Sequence, residues 1–144
     1  MTRARPYAER TVVPVQQSKN EIERLLQMNG AGAIAMFTDD GRAVAAVAFT
    51  MAERSYRFVM PMPRMCAKGS REEKIRMQLA RQRWRALLLV LKAKIESARS
   101  GVTTLETELL PYAVLPNGRT VADEVQPRLA ANYKGQDVPL LPGV

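Results

Sequence analysis

The longest uninterrupted helical pattern in the sequence spans residues 70–101, and it limits how the rest of the chain can be arranged. The stretch contains no proline and no glycine between its ends, and it is rich in residues that favour helices. Ser70 is placed to cap the N-terminus, and Gly101 lies where a helix usually ends. About thirty residues give a helix of roughly 45 Å. We therefore predict one long central helix.

Two apolar stripes run along this helix on opposite sides. The first, which we assign to the core, comprises Met77, Ala80, Trp84, Leu87, Leu88, Leu91, Ile95 and Ala98. The second comprises Ile75, Leu79, Ala86, Val90 and Ala93. We expect the helix to bury both stripes, with its middle section, residues 86–91, enclosed all round.

Cations fill the two strips between the apolar stripes. One strip, which we call the basic edge, comprises Lys74, Arg81, Arg85, Lys92 and Arg99; the other comprises Arg76, Arg83 and Lys94. A solvated helix edge normally mixes signs, because Glu and Lys four residues apart stabilise each other. Two interpretations stay open: a solvated edge that happens to be basic, and a surface that binds nucleic-acid phosphates.

The charge balance narrows the possible functions. A formal charge of +8 and a pI near 10.1 favour polyanionic partners. The chain has no histidine and one cysteine, Cys66, which excludes His-based catalysis and an intrachain disulfide. The sequence lacks an apolar run of membrane-spanning length and a secretory signal. We expect a protein of the host-cell cytoplasm with no metal, no cofactor, no membrane association and no small-molecule substrate.

The remaining patterns predict a single α+β domain over residues 11–133, between a flexible basic arm at residues 1–10 and an extended tail at residues 134–144. The predicted elements are an edge strand at residues 11–15, a helix at about residues 19–29, strands at residues 31–37, 42–50 and 55–60, the long helix, and short helices at residues 104–110 and 121–133. The three longer strands form an antiparallel meander, which the long helix covers on one face.

Local signals define the ends of several elements. Capping boxes starting at Ser18, Thr103 and Thr120 begin the three shorter helices. Asp40-Gly41 favours a tight hairpin turn, and Pro127 is expected to kink or divide the last helix. We expect the apolar side of that helix to face inward, through Val121, Val125, Leu129 and Ala130.

Two further groups of residues have candidate functions. Arg64 and Lys68 precede the long helix without an acid between them, so this connection is either a flexible linker or part of an anion site. Adjacent acids occur at residues 39–40 and 123–124, which are a turn and a helix start. We interpret them as turn and cap residues rather than catalytic groups, so we expect no enzymatic activity.

Several segments resemble a family of small uncharacterised proteins encoded by tailed phages and prophages. They are residues 18–26 (SKNEIERLL), 61–63 (PMP), 81–96 (RQRWRALLLVLKAKIE), 101–106 (GVTTLE), 114–121 (VLPNGRTV) and 138–143 (VPLLPG). The resemblance covers most of the chain and implies a phage context, in which small basic proteins often act on DNA. The meander followed by a long helix also resembles the core of phage single-strand annealing proteins, at the level of topology alone.

These observations lead to two hypotheses. The first is a non-enzymatic nucleic-acid-binding protein of phage DNA metabolism, acting in recombination, annealing or replication on single-stranded or duplex DNA. Its phosphate contacts would be the basic edge with Arg64 and Lys68, and Tyr7, Tyr56 or Trp84 would stack on bases, although Trp84 also fits the core stripe. The alternative is an oligomeric structural or interaction protein, such as an inhibitor of a host nucleoprotein complex. We expect a homo-oligomer in either case.

Overall fold

The computed structural model describes residues 11–64 and 66–141, so the predicted arm at residues 1–10 lies outside the described part. The predicted α+β fold is confirmed. The elements in order are helix α1 (Val15–Met28), strands β1 (Ile34–Asp39), β2 (Val44–Met51) and β3 (Arg54–Pro61), helix α2 (Arg71–Arg99), helix α3 (Leu105–Leu109), a 3₁₀ turn (Leu110–Tyr112) and helix α4 (Val121–Tyr133).

The three strands form an antiparallel meander in the order β1-β2-β3. Side chains alternate between its faces, so that Val47, Phe49 and Phe58 are buried on the inner face. The outer face is rich in alanine and remains open, with Phe37 and Val59 about half exposed. The sheet therefore contributes one face to the core.

Helix α2 forms the second layer and is the long helix expected from the sequence. The Ser70 hydroxyl accepts a hydrogen bond from the Glu73 amide at 3.0 Å, and Gly101 adopts a φ of +84° just after the helix ends. Trp84, Leu88 and Leu91 are buried in the core with the inner face of the sheet. Local pattern and tertiary packing agree at the two ends of this helix and along its core stripe from Trp84 onward.

The second apolar stripe of α2 is not buried, which corrects the prediction that both sides pack. Ile75 is 53% exposed and Val90 is 42% exposed. Met77, which we assigned to the core stripe, is 46% exposed because it lies in the first turns of α2, before the buried section begins at Trp84. The helix therefore packs on one side only within the described chain.

Helix α1 begins earlier than the sequence suggested. The predicted edge strand at residues 11–15 is wrong, because Pro14 is the N-cap and Val15 already lies in the helix. Ser18, which we assigned to a capping box, is inside the helix and fully buried beside Ile22 and Leu26. Packing of this face stabilises the extra helical turn, and tertiary contacts thereby override the local capping signal.

The two hairpins differ from each other. The first loop contains residues 40–43 between the paired residues Asp39 and Val44, so it is longer than the predicted tight turn. The second has two central residues, Ala52 and Glu53, both with positive φ (50° and 64°), as type I′ turns require. The N-cap of α3 lies one residue later than the capping box predicted at Thr103. The Thr104 hydroxyl caps α3 by accepting a hydrogen bond from the Thr107 amide.

Helix α4 starts as expected but does not pack as expected. Thr120 and Asp123 form a reciprocal capping box, and the helix continues through Pro127 rather than dividing there. Val125 and Leu129, which we predicted to face inward, are 47% and 50% exposed, and no residue of α4 is buried. The main neighbour of α4 in the described chain is the 3₁₀ turn, so the helix extends away from the core.

Candidate nucleic-acid interface

The basic edge follows one flank of α2. Its first and last members, Lys74 and Arg99, are separated by almost the full length of the helix, about 37 Å at the standard rise. Helix α2 carries nine cationic side chains against three carboxylates, so it accounts for most of the excess positive charge of the chain. An extended phosphate backbone is a ligand of matching length and charge.

One member of the basic edge is neutralised. The Arg85 guanidinium donates a hydrogen bond to the Glu21 carboxylate of α1 at 2.8 Å, and both side chains are partly exposed. Hydrogen bonding from Gln17, followed by the Arg85 hydrogen bond and charge and the Lys92 charge, holds the pKa of Glu21 below its usual value. Arg85 therefore ties α1 to α2 and contributes less to an anion site than its position suggests.

The other four members form no close ion pair within the described chain, and the Lys92 charge acts on Glu21 only at longer range. Arg81 donates through Nε and Nη2 to the Gln78 side-chain oxygen at 3.0 and 2.7 Å, which orients the guanidinium without neutralising its charge. Lys74, Lys92 and Arg99 are exposed. These side chains keep their charge available for an external anion.

A crevice of about 380 Å³ opens beside the N-terminal half of α2. Its charged rim combines Lys19 from α1 with Arg76 and Arg81 from opposite flanks of α2, and Asp40 supplies the one carboxylate among the described residues that line it. The Lys19 ammonium lies 4.7 Å from the centre of the Trp84 ring, which fixes its position. The crevice thus joins three cations over an apolar floor.

Sequence reasoning missed this crevice. The helical periodicity placed Arg76 on the strip of α2 away from the basic edge, and no sequence pattern singled out Lys19. The crevice forms because Met77 and Ala80 of the core stripe lie where nothing in the described chain covers them fully. No spacing within a single element indicates such a site, because the packing of α1 against α2 creates it.

Several polar groups of the connection before α2 are already hydrogen-bonded within the chain. The Arg64 guanidinium approaches the Gly41 carbonyl at 3.4 Å, and the Arg64 carbonyl accepts a hydrogen bond from Arg76 at 2.7 Å. Lys68 is exposed. Ser70 already uses the Glu73 amide, so part of the donor set at this helix end is occupied. Arg64 therefore adds charge near the crevice rather than a separate site.

The aromatic and acidic candidates have structural roles. Tyr56 and Trp84 are 2% and 1% exposed, so neither is free to stack on a base, and Tyr7 lies outside the described residues. Asp39 accepts from the Arg42 amide in the first hairpin loop, and Asp123 belongs to the capping box of α4. Hydrogen bonding from Thr120 lowers the pKa of Asp123.

The comparisons with family models, with curated proteins and with solved structures find no match. Within residues 11–64 and 66–141, no helix combines the length and apolarity that a membrane crossing needs. The same residues contain no cluster of three or more metal-ligating side chains. The charged surface is therefore the feature of the molecule that indicates a function.

Proposed function

We propose that this protein is a non-enzymatic nucleic-acid-binding protein of phage DNA metabolism that holds DNA along the basic edge. One observation carries the proposal: four of the five basic-edge cations lie on one flank of α2 without a close ion pair in the described chain. A like-charged flank costs stability through self-repulsion, and a polyanion relieves that repulsion. Recombination, annealing or replication on single-stranded DNA fits such a surface.

The binding mode is contact with phosphates rather than readout of bases. Tyr56 and Trp84, the two stacking candidates named from the sequence that lie in the described chain, are buried, and lysine and arginine bind phosphate without regard to sequence. Four or five phosphate contacts to a single strand predict a slope of about −3 in a plot of log affinity against log salt concentration. Affinity then falls about 60-fold when the salt concentration rises fourfold.

The experiment is a fluorescence-anisotropy titration of labelled single-stranded DNA, duplex DNA and RNA at several NaCl concentrations. The test variant combines Lys74→Gln, Lys92→Gln and Arg99→Gln, which are exposed positions with little effect on folding. We expect its salt slope for single-stranded DNA to fall to about −1. Absence of binding by the wild-type protein to all three nucleic acids at low salt refutes the proposal.

A matched control removes the same net charge elsewhere. Arg54, Arg128 and Lys134 are exposed and lie off the basic edge, in the second hairpin, on α4 and just after α4. Changing all three to Gln leaves the slope near the wild-type value if the basic edge is the interface. Equal losses in the two triple variants would mean that only net charge matters.

A second candidate function, an interaction protein, is favoured by the surface of α4. Val125, Leu129 and Tyr133 recur every four residues and are each about half exposed. Leu140 and Leu141 in the tail are 97% and 75% exposed, so the C-terminal region presents apolar side chains without a partner in the described chain. Light scattering of the protein with and without residues 134–144 tests whether this region mediates assembly.

A further inference from the structure

The two edge strands of the sheet, β1 and β3, differ in whether another segment pairs with their outer edge. The outer edge of β3 is covered where the Val114 amide donates to the Ser55 carbonyl at 2.8 Å and where Tyr56 bridges to Ala113. The outer edge of β1 has no such cover in the described part of the chain. An uncovered edge presents a row of backbone donors and acceptors to another strand.

The hydrogen-bond pattern identifies which residues present those groups. The Thr50 amide donates to the Ala33 carbonyl at 3.0 Å, so Ala33 is bonded to β2, and the alternation continues to Ala35 and Phe37. Ile34, Met36 and Thr38 consequently direct their backbone groups away from the sheet. The pairing of β2 with β3 agrees with this phase, because the Met62 amide donates to the Ala43 carbonyl at 2.7 Å and leaves the neighbouring Val44 to bond to β1.

The β1 edge also lacks the features that usually prevent pairing. From Ile34 to Thr38 the strand contains no charge and no proline, and Asp39 comes only at its end. Helix α1 approaches β1 from beneath the sheet, where Ile34 and Met36 line a crevice of about 240 Å³ with Gln16 and Asn20. No residue of the described chain is hydrogen-bonded to the strand edge itself.

We propose that a second copy of this chain pairs with β1 in the antiparallel sense, about a two-fold axis at Met36. In this register each Met36 faces its own equivalent, and Ile34 faces Thr38 of the second copy, so all three outward residues of each strand are hydrogen-bonded. The two sheets become one continuous six-stranded sheet. The interface is isologous, as a closed dimer requires.

The side chains complement one another in this register. On the outer face, Phe37 of one copy lies opposite Ala35 of the other, so a ring that is 52% exposed in the single chain covers a small residue. Asp39 lies beyond the paired segment, opposite Ala33, so no like charges oppose each other across the pair. This self-complementarity is the reason to assign a second copy rather than an unrelated strand.

Single-cysteine cross-linking in the full-length chain tests the register, in a Cys66→Ser background. Met36→Cys places the two Cα atoms about 5.5 Å apart, within disulfide range. The matched control, Ile34→Cys, places them about 14 Å apart, because four residues separate the equivalent positions along the strand. We expect mild oxidation to give a covalent dimer with Met36→Cys alone. A dimer with Ile34→Cys, or with neither variant, overturns the proposal.

Proline substitution separates pairing from folding. The Thr38 amide points outward, so Thr38→Pro should keep the circular dichroism of the fold while the native mass falls from dimer to monomer. Phe37→Pro removes an amide bonded to β2 and should lose the fold, which verifies the strand phase. A monomeric native mass for the wild-type chain overturns the proposal. That outcome includes the case in which residues 1–10 of the same chain, instead of a second copy, pair with the β1 edge. Nucleic-acid binding is measured separately and does not affect either result.

Discussion

Replacing Ser18 by alanine distinguishes the structure from the sequence-based capping interpretation, because the two predict opposite signs. Ser18 is fully buried within α1, and its hydroxyl oxygen has no hydrogen-bond partner among residues 11–64 and 66–141. Removing an unsatisfied buried hydroxyl recovers about 1–3 kcal/mol, and alanine is the better helix former by about 0.5 kcal/mol. Lost packing offsets part of this gain, so we expect a net stabilisation of about 1–2 kcal/mol.

The assay is thermal and urea unfolding of wild type and Ser18→Ala. A gain of about 1–2 kcal/mol corresponds to an increase in Tm of about 3–6 °C for a domain of this size. Thr120→Ala is the matched control, because Thr120 accepts from the Asp123 amide as a true cap and its loss should cost about 1 kcal/mol. Destabilisation of Ser18→Ala by a similar amount would refute the assignment of Ser18 to the helix interior.

Three further predictions concern local contacts. Because the pKa of Glu21 is lower in the folded chain than its ordinary value of 4.5, the ionised carboxylate stabilises the fold fully above pH 4.5. This stabilisation is lost as the pH falls through the lowered pKa. Glu21→Gln should therefore flatten the acid limb of a profile of unfolding free energy against pH. Gly32→Ala brings a Cβ to 2.7 Å from the Thr50 hydroxyl and should cost about 1–3 kcal/mol by urea unfolding, less in a Thr50→Ala background. Ala52→Asn with Glu53→Gly relieves two positive-φ positions in the second hairpin and should raise stability by about 1 kcal/mol.

Elements specified by local pattern were predictable from the sequence. Helix α2 has a cap at Ser70, a glycine after its end and a continuous run of helix formers, and each β-strand alternates between its faces. The Thr120 capping box likewise specified the start of α4. In these places short-range preferences and tertiary packing favour the same conformation.

Features that depend on how helices and strands pack against one another were not predictable from the sequence. The sequence could not show that α4 extends away from the core, because an apolar stripe looks the same whether or not another element covers it. The true start of α1 depends on burial of Ser18 against the core, which outweighs its capping preference. The crevice combines Lys19 with Arg76 and Arg81, and only the packing of two helices brings them together.

The basic edge was predictable from the sequence only in part. Helical periodicity placed its five members on one flank, and the continuous helix α2 keeps them there. The ion pair between Arg85 and Glu21 depends on where α1 lies, so the sequence could not separate the neutralised member from the other four. The binding prediction is accordingly assigned to those four.

Lysine footprinting tests the central claim most directly, because it locates the contact. The protein is acetylated with and without an excess of an oligothymidylate at low salt, and the modified lysines are quantified by mass spectrometry. If the basic edge is the interface, the oligonucleotide protects Lys74 and Lys92, whereas Lys134, which is also exposed and lies just after α4, stays reactive. Uniform protection of all three, or unchanged reactivity of Lys74 and Lys92 while the oligonucleotide is bound, would contradict the central claim.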